Sequence, residues 1–297
     1  MDQLIGDPRR GHPVAIFGSA AARFERAMWR DRRAAGAAYT GVLVGATTGF
    51  GVIMGRCRGV PLFVLTAAGT WAVLGGRSLV DEAEAISTQL TEDDLPAARR
   101  QLTHLVGRRT EELDEAEIAR AAVESVAENT SDAVVAPLFW GAVAGLPGLL
   151  GYRAINTLDA MVGHHNARYE NFGWASARLD DVANFVPARL TALLTAALAP
   201  LVGGSARRAL EVARRDGRRH PSPNSGVAEA AFAGALDVRL GGRNDYGARI
   251  EQRPLLGAQG SAPTRVDLAR AGRLSQAVTI GAVVFCAAVA LLGRRRP

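Results

Sequence analysis

Five uncharged stretches interrupt the chain, at residues 34–55, 59–76, 133–152, 190–206 and 274–293. They hold 22, 18, 20, 17 and 20 residues, and charged side chains flank every one. A helix needs about 20 apolar residues, within roughly 17 to 25, to cross the hydrocarbon of a bilayer. One such stretch is compatible with a buried core helix. Five of them predict a polytopic membrane protein.

Between these stretches the polar and apolar positions keep a helical period. Residues 79–90 and 94–105 read as short amphipathic helices, with Ser78 and Thr91 placed to cap them. Residues 113–126 continue in that style. No strand alternation and no internal repeat is evident, while 259–263 and the Gly-rich 241–246 read as loops. The expected fold is all-α, a single membrane-embedded domain over 1–297 with amphipathic helical loops. Gly141, Gly145, Pro147 and Gly148 interrupt the third stretch. It is expected to bend or re-enter with 190–206 as its partner, because re-entrant backbone is tolerated where protein buries it.

Composition changes this picture little. Hydrophobic residues make up 48% and charged residues 22%, averages that a soluble protein also reaches, so the distribution decides. The opening MDQLIGDPRR has no apolar stretch ending in a cleavage site, and no signal peptide is expected. Cys57 and Cys286 fall in a short connection and in the last apolar stretch, which suits neither a disulfide framework nor a cysteine metal site.

Charge adds more. All 35 basic residues are arginine. A Schiff-base lysine and a phosphate-loop lysine are therefore excluded, and phosphate recognition falls to arginine, metal ions or backbone amides. The net charge of +6 does not indicate nucleic acid, because the arginines follow membrane topology. Seven precede the first apolar stretch, two and six lie in the next connections, then four, thirteen and a tail of three. The positive-inside rule places the N-terminus and the second and fourth connections in the cytoplasm. The tail at 294–296 then falls on the opposite side.

Candidate chemistry gathers at the edges of the apolar stretches. Glu124, Glu128 and Asp132 are spaced by four, on one helical face that runs into an apolar segment. Acid groups at a membrane boundary are costly unless paired or metal-bound, and oxygen ligands suit Mg²⁺. The competing reading is a solvated face paired with Arg120. Asn156, Thr157 and Asp159 lie close to a membrane end, where helix capping is the plainer role. Arg178, Asp180, Asp181, Asn184 and Arg189 suit a buried ion-pair network and an anion site equally. In HPSPNSG, from His220 to Gly226, two prolines forbid regular helix. Asn224, Ser225 and Gly226 then precede a helical stretch, so the loop ends at a helix start, where free amides attract anions. Arg214, Arg215, Arg218 and Arg219 stand before it, as a phosphate site or as a basic patch on lipid headgroups. His104, His164 and His165 show no ligand spacing and read as surface or loop histidines.

The motifs GDPRRGHPV, ESVAENTSDAVVAPLFW, GYRAINTLDAMVG, FGWASARLDDVANFVPARLTALL and RRHPSPNSGVAEAAFAGALDVRLGG occur in this order. Together they closely resemble the CobD/CbiB family of cobalamin biosynthesis, the adenosylcobinamide-phosphate synthases, from about Gly6 to Gly257. The resemblance implies a multi-pass enzyme of the cell membrane with its site on the cytoplasmic side. Such an enzyme joins a carboxylate of the corrinoid adenosylcobyric acid to aminopropanol or its O-phosphate, consuming ATP with Mg²⁺. Other enzymes of the pathway are conceivable partners. Members of the family begin with a further apolar segment before the GDP motif, where this chain has MDQLI.

That chemistry distributes roles over the clusters. Glu124, Glu128 and Asp132 are assigned to metal. Arg178, Arg189, His220, Ser222, Asn224 and Ser225 are assigned to phosphate and substrate. Asp180 or Asp181 is the candidate base, with Asn156 and Asp159 beside it. Two rivals share the scaffold. A corrinoid transporter would carry charges in mid-span, where these spans are clean except for Arg189. A non-catalytic membrane sensor would not need the acid and HPSPNSG motifs intact.

Overall fold

The computed structural model describes residues 12–164, 166–247 and 249–293. Most of GDPRRGHPV, His165 and the arginines at 294–296 lie outside the described residues. Among the described residues, five helical segments are long and apolar enough to cross a membrane: Arg33–Gly55, Gly59–Thr91, Glu115–Val162, Phe185–Val202 and Arg265–Leu292. The protein is a multi-pass, essentially all-helical membrane protein. Backbone contacts divide the chain into two compact units.

The first unit contains the described residues up to Leu74, Ala136–Phe185, and the chain from Val283. Its helices are α1 (Pro13–Met28), α2 (Arg33–Gly55), α3 (Gly59–Val73), α7 (Ala136–Val162) and α8 (Trp174–Ala183). Helix α7 is not straight. Gly145 adopts φ 63° and ψ −151°, a backbone region that is essentially restricted to glycine. Beyond it, a Cβ on Gly148 would collide with the carbonyl oxygen of Trp140. Eight residues along a straight α-helix separate two atoms by about 12 Å, so the chain doubles back at Gly145. The apolar stretch 133–152 is thus a helical hairpin, the bend anticipated from its glycines and proline. Its first apolar leg, 133–144, spans only about 18 Å, well short of the roughly 30 Å of a bilayer core.

The second leg of α7 returns antiparallel to α2. A Cβ on Gly51 would lie 2.7 Å from Pro147 Cα, and one on Gly151 would lie 2.5 Å from Thr48 Oγ1. Small residues let the two backbones approach where lipid supplies no hydrophobic drive. At the far end Tyr39 packs with Leu158, Val162 and Phe172 in a fully buried cluster.

The second unit contains Gly75–Val135 and Val186–Ala282. It is built from α4 (Gly76–Thr91), α5 (Leu95–Leu102), α6 (Glu115–Thr130), α9 (Phe185–Leu198), α10 (Ala206–Asp216), α11 (Ser225–Leu236) and the body of α12 (Arg265–Gly293). Two caps differ from expectation. Helix α4 starts at Gly76 behind Gly75, so Ser78 lies inside it, and Thr91 is its last residue. Asp94 caps α5 by accepting from Ala97 N, since Pro96 fixes the start of that helix. At α6, Asp114 and Glu117 form a reciprocal capping box.

The Gly-rich segment 241–246 is also corrected. Strand β1 (Leu240–Asp245) pairs antiparallel with β2 (Ile250–Leu256). Gly241 and Gly242 both have positive φ and make a bulge between Leu240 and Gly242. LGGRND has neither alternation nor β-branched residues, and its pairing is imposed by β2. Residues 259–263 form a loop, as expected.

Candidate functional site

The sequence-predicted residues fall into both units, and each cluster is built from its own unit. In the second unit, α6 presents Glu124 and Glu128 to a cavity of about 130 Å³ lined also by Arg108, Glu229, Asn244, Tyr246 and Arg253. Glu124 is buried and fully engaged. Arg108 Nη2 donates to it at 2.5 Å, Arg120 Nη1 at 3.2 Å and Gly241 N at 2.8 Å. Arg108 and Arg120 also share Asn244 Oδ1. The β-hairpin thus completes the ion network around Glu124, and the predicted pairing with Arg120 is present. Glu128, one turn on, accepts among the described residues only the Ser225 hydroxyl, at 3.0 Å.

Asp132 belongs to a π-helical segment, Ser131–Val135, and does not line this cavity. A π-turn shifts the register of one face, so spacing by four no longer aligns a third carboxylate. Among the described residues no group of three or more His, Cys, Asp or Glu side chains is placed to hold a metal ion.

The HPSPNSG loop folds around Ser222. Its hydroxyl oxygen accepts from the backbone N of Ser225 at 3.2 Å and of Asn224 at 3.4 Å. Gly226 N and Val227 N reach Ser222 O and Asn224 O. The amides expected to attract an anion are therefore bonded within the loop. Arg189 donates to Asn224 Oδ1 at 2.6 Å and to Pro223 O at 3.3 Å, which ties α9 to the loop. His220 is buried, and its Nδ1 faces the Ser222 backbone. Burial and then the Arg253 charge push its pKa below the ordinary histidine value, so the ring is neutral.

Sequence reasoning missed Arg108, Glu229, Asn244, Tyr246 and Arg253. Glu229 alone had a local signal, as the single charge in the apolar SGVAEAAFAGAL helix. The others depend on the hairpin.

In the first unit, Tyr152 donates its hydroxyl to Asn184 Oδ1 at 2.8 Å, and Asn184 Nδ2 donates to Asp180 Oδ2 at 2.9 Å. Asp180 is 9% exposed, and its Oδ1 has no hydrogen-bond partner. Burial, then the nearby Asp159 charge, raise its pKa to about 7, against the opposing effect of Asn184 and Asn156. Arg153 donates to Asn156 at 3.4 Å. Asp181 instead faces Arg178 at 3.4 Å, with the arginine largely exposed. Asp180, Asn156 and Asp159 thus gather in one place, with Arg178 and Asp181 at its edge.

The family model described as CobD/Cbib protein matches residues 1–275. A Mycobacterium tuberculosis protein named cobalamin biosynthesis protein CobD is 54% identical, covering all of this chain and 94% of its own length. Proteins of the same name are 44% identical in Rhodobacter capsulatus and 47% identical in Geobacter metallireducens. They cover 98% and 86% of this chain, and 95% and 83% of their own lengths. No solved structure matches the chain.

Proposed function

This chain belongs to the CobD/Cbib family, and on that footing we propose that it is a cobalamin-biosynthesis enzyme forming an amide between adenosylcobyric acid and aminopropanol or its O-phosphate. The observation that carries the reading is 54% identity, over the full chain, to a relative named for cobalamin biosynthesis. A carboxylate does not react with an amine at neutral pH, because its carbonyl carbon is not electrophilic. In the proposed reaction a carboxylate oxygen of the corrinoid attacks the γ-phosphorus of ATP and ADP leaves. The amine nitrogen then attacks the acyl phosphate carbon, the C–O bond breaks, and inorganic phosphate departs. One proton must leave the attacking nitrogen.

Asp180 suits that last step. A general base works best with a pKa near the operating pH, and burial brings this carboxyl to about 7. Asn184, held by Tyr152, fixes its orientation, while Asp159 and Asn156 set its charge environment. Arg189 holds the HPSPNSG loop in shape, and the loop with Arg218 and Arg219 forms the basic face proposed for phosphate. The acid face does not make a metal cage by itself. Mg²⁺ in this reading accompanies ATP, held mainly by phosphate oxygens and water.

Purified protein given cobyric acid, aminopropanol phosphate, ATP and Mg²⁺ should make the amide and release phosphate. In cells, loss of the gene should block cobalamin synthesis from cobyric acid, and supplied cobinamide should restore it. Growth that stays blocked on cobinamide would place the lesion at another step and overturn the assignment.

A further inference from the structure

Glu229 stands on α11, a helix in which every residue from Ser225 to Leu236 is buried. It is 1% exposed, and its Oε1 has no hydrogen-bond partner although it lines the cavity beside α6. His220 Nε2 lies 3.7 Å away, too long for a hydrogen bond and on a ring held neutral. Arg253 lines the same cavity, but its nitrogens reach Glu251, Tyr246 and His220. Arg108 and Arg120 are committed to Glu124, Asn244 and backbone carbonyls. Two carboxylates, Glu128 and Glu229, therefore share a cavity in which, among the described residues, the one hydrogen-bond donor to either is the Ser225 hydroxyl.

Buried carboxylate oxygens are stable only with donors or a positive charge. Burial and the charges of Glu124 and Glu128 push the Glu229 carboxyl well above its usual range, which expresses the same deficit. The cavity, about 130 Å³, exceeds the roughly 10–15 Å³ that one water needs. A primary ammonium supplies three donors and one charge in a compact head. Among the described residues no group of three or more His, Cys, Asp or Glu is placed to hold a metal ion, and the neighbouring Glu124 is already spent on two arginines.

We propose that the cavity between α6, α11 and the β-hairpin binds a primary ammonium group of a small amine, held by Glu128 and Glu229. This inference rests on the amide-forming reading only in identifying the amine as aminopropanol, and it concerns binding of the amine, not the proton transfer proposed for Asp180.

Titration calorimetry on the full-length detergent-solubilised protein, without ATP or corrinoid, tests it. 1-Amino-2-propanol should bind, and propane-1,2-diol, similar in size but lacking the ammonium, should not. Glu229→Gln and Glu128→Gln should each weaken the amine about tenfold or more, the loss expected for one charge-assisted hydrogen bond. Glu128 is half-buried, so its variant keeps the test decisive if Glu229→Gln does not fold. In the amide assay these variants should raise KM for the amine and leave KM for cobyric acid unchanged. Equal binding of the diol, unaltered binding by both variants, or displacement of the amine by Mg²⁺ alone would overturn the site. Amine binding with no amide formed would sink the amide-forming reading and leave the site standing. Amide formation with an unchanged amine KM in both variants would do the reverse.

Discussion

Asp180 and Glu124 show how differently two buried acids are treated. Asp180 has a partner on one oxygen and none on the other, and its pKa is raised to about 7. A carboxyl whose folded-state pKa exceeds its unfolded value favours the fold in its neutral form. That contribution is complete below the ordinary aspartate range and is lost as pH rises through about 7. Thermal unfolding in detergent should therefore weaken across that window, and Asp180→Asn should flatten the dependence. On the proposed role of Asp180 as base, kcat/KM in the amide assay should rise through pH 7 as it deprotonates, and Asp180→Asn should abolish that limb. Glu124 has the opposite environment, with two guanidiniums and a backbone N–H upon it. Glu124→Gln strands Arg108 and Arg120 without a counter-charge, and a loss of about 3–5 kcal/mol follows from breaking a buried ion pair. A melting temperature unchanged from wild type would show that the network carries no stability.

At the level of elements, two features of the chain define what is built. The first is the hairpin in α7. Gly145→Ala forces a Cβ into a glycine-only backbone region at a cost of about 1–3 kcal/mol, and should lower stability by that amount. The same substitution at Gly272, inside α12 where a Cβ meets nothing, should instead stabilise by about 0.5–1 kcal/mol. The second feature is the β-hairpin. Gly241 N and Asn244 Oδ1 both enter the network around Glu124 and its arginines, so the hairpin is the lid of that network rather than an ornament on a loop. Its glycines disguise it, since positive φ at 241 and 242 replaces the alternation by which strands are recognised. The starts of α4 and α5 differ from the expected Ser78 and Thr91 caps for a related reason. A helix start is set by where the preceding chain turns, here Gly75 and Pro96, and a nearby hydroxyl does not move it.

For the molecule as a whole, topology is the quantity that decides whether the proposed chemistry can meet ATP. Thirteen arginines fall between 207 and 273, against four between 153 and 189. Simple alternation of five crossings would place the latter connection outside. The fold-back at Gly145 shortens the third stretch, and the topology proposed from it keeps the 153–189 connection on the inner side. A cysteine at Asn166 should accordingly be labelled only once the inner face is opened, as should one at Ser222, in a background with Cys57 and Cys286 replaced by serine. Ready labelling of the Asn166 position from outside would show that the third stretch crosses fully.

Hydropathy and charge by themselves determined the membrane class, the positions of the apolar segments, the bend at the glycines of 133–152 and the acids and arginines worth watching. These are properties of composition over a window, and lipid reads them residue by residue. The motifs, being long and ordered, determined the family. Tertiary structure alone decided which acids are paired and which are left bare. Glu124 and Glu128 sit one turn apart with the same local sequence character, yet Gly241, Asn244 and Arg108, from 16 to 120 residues away, neutralise only the first. Glu229 and Arg253 enter the same cavity from separate elements. The environment of a buried charge is set by whatever the fold brings within hydrogen-bonding distance, and in this chain those groups come from loops and a strand that carry no periodic signal.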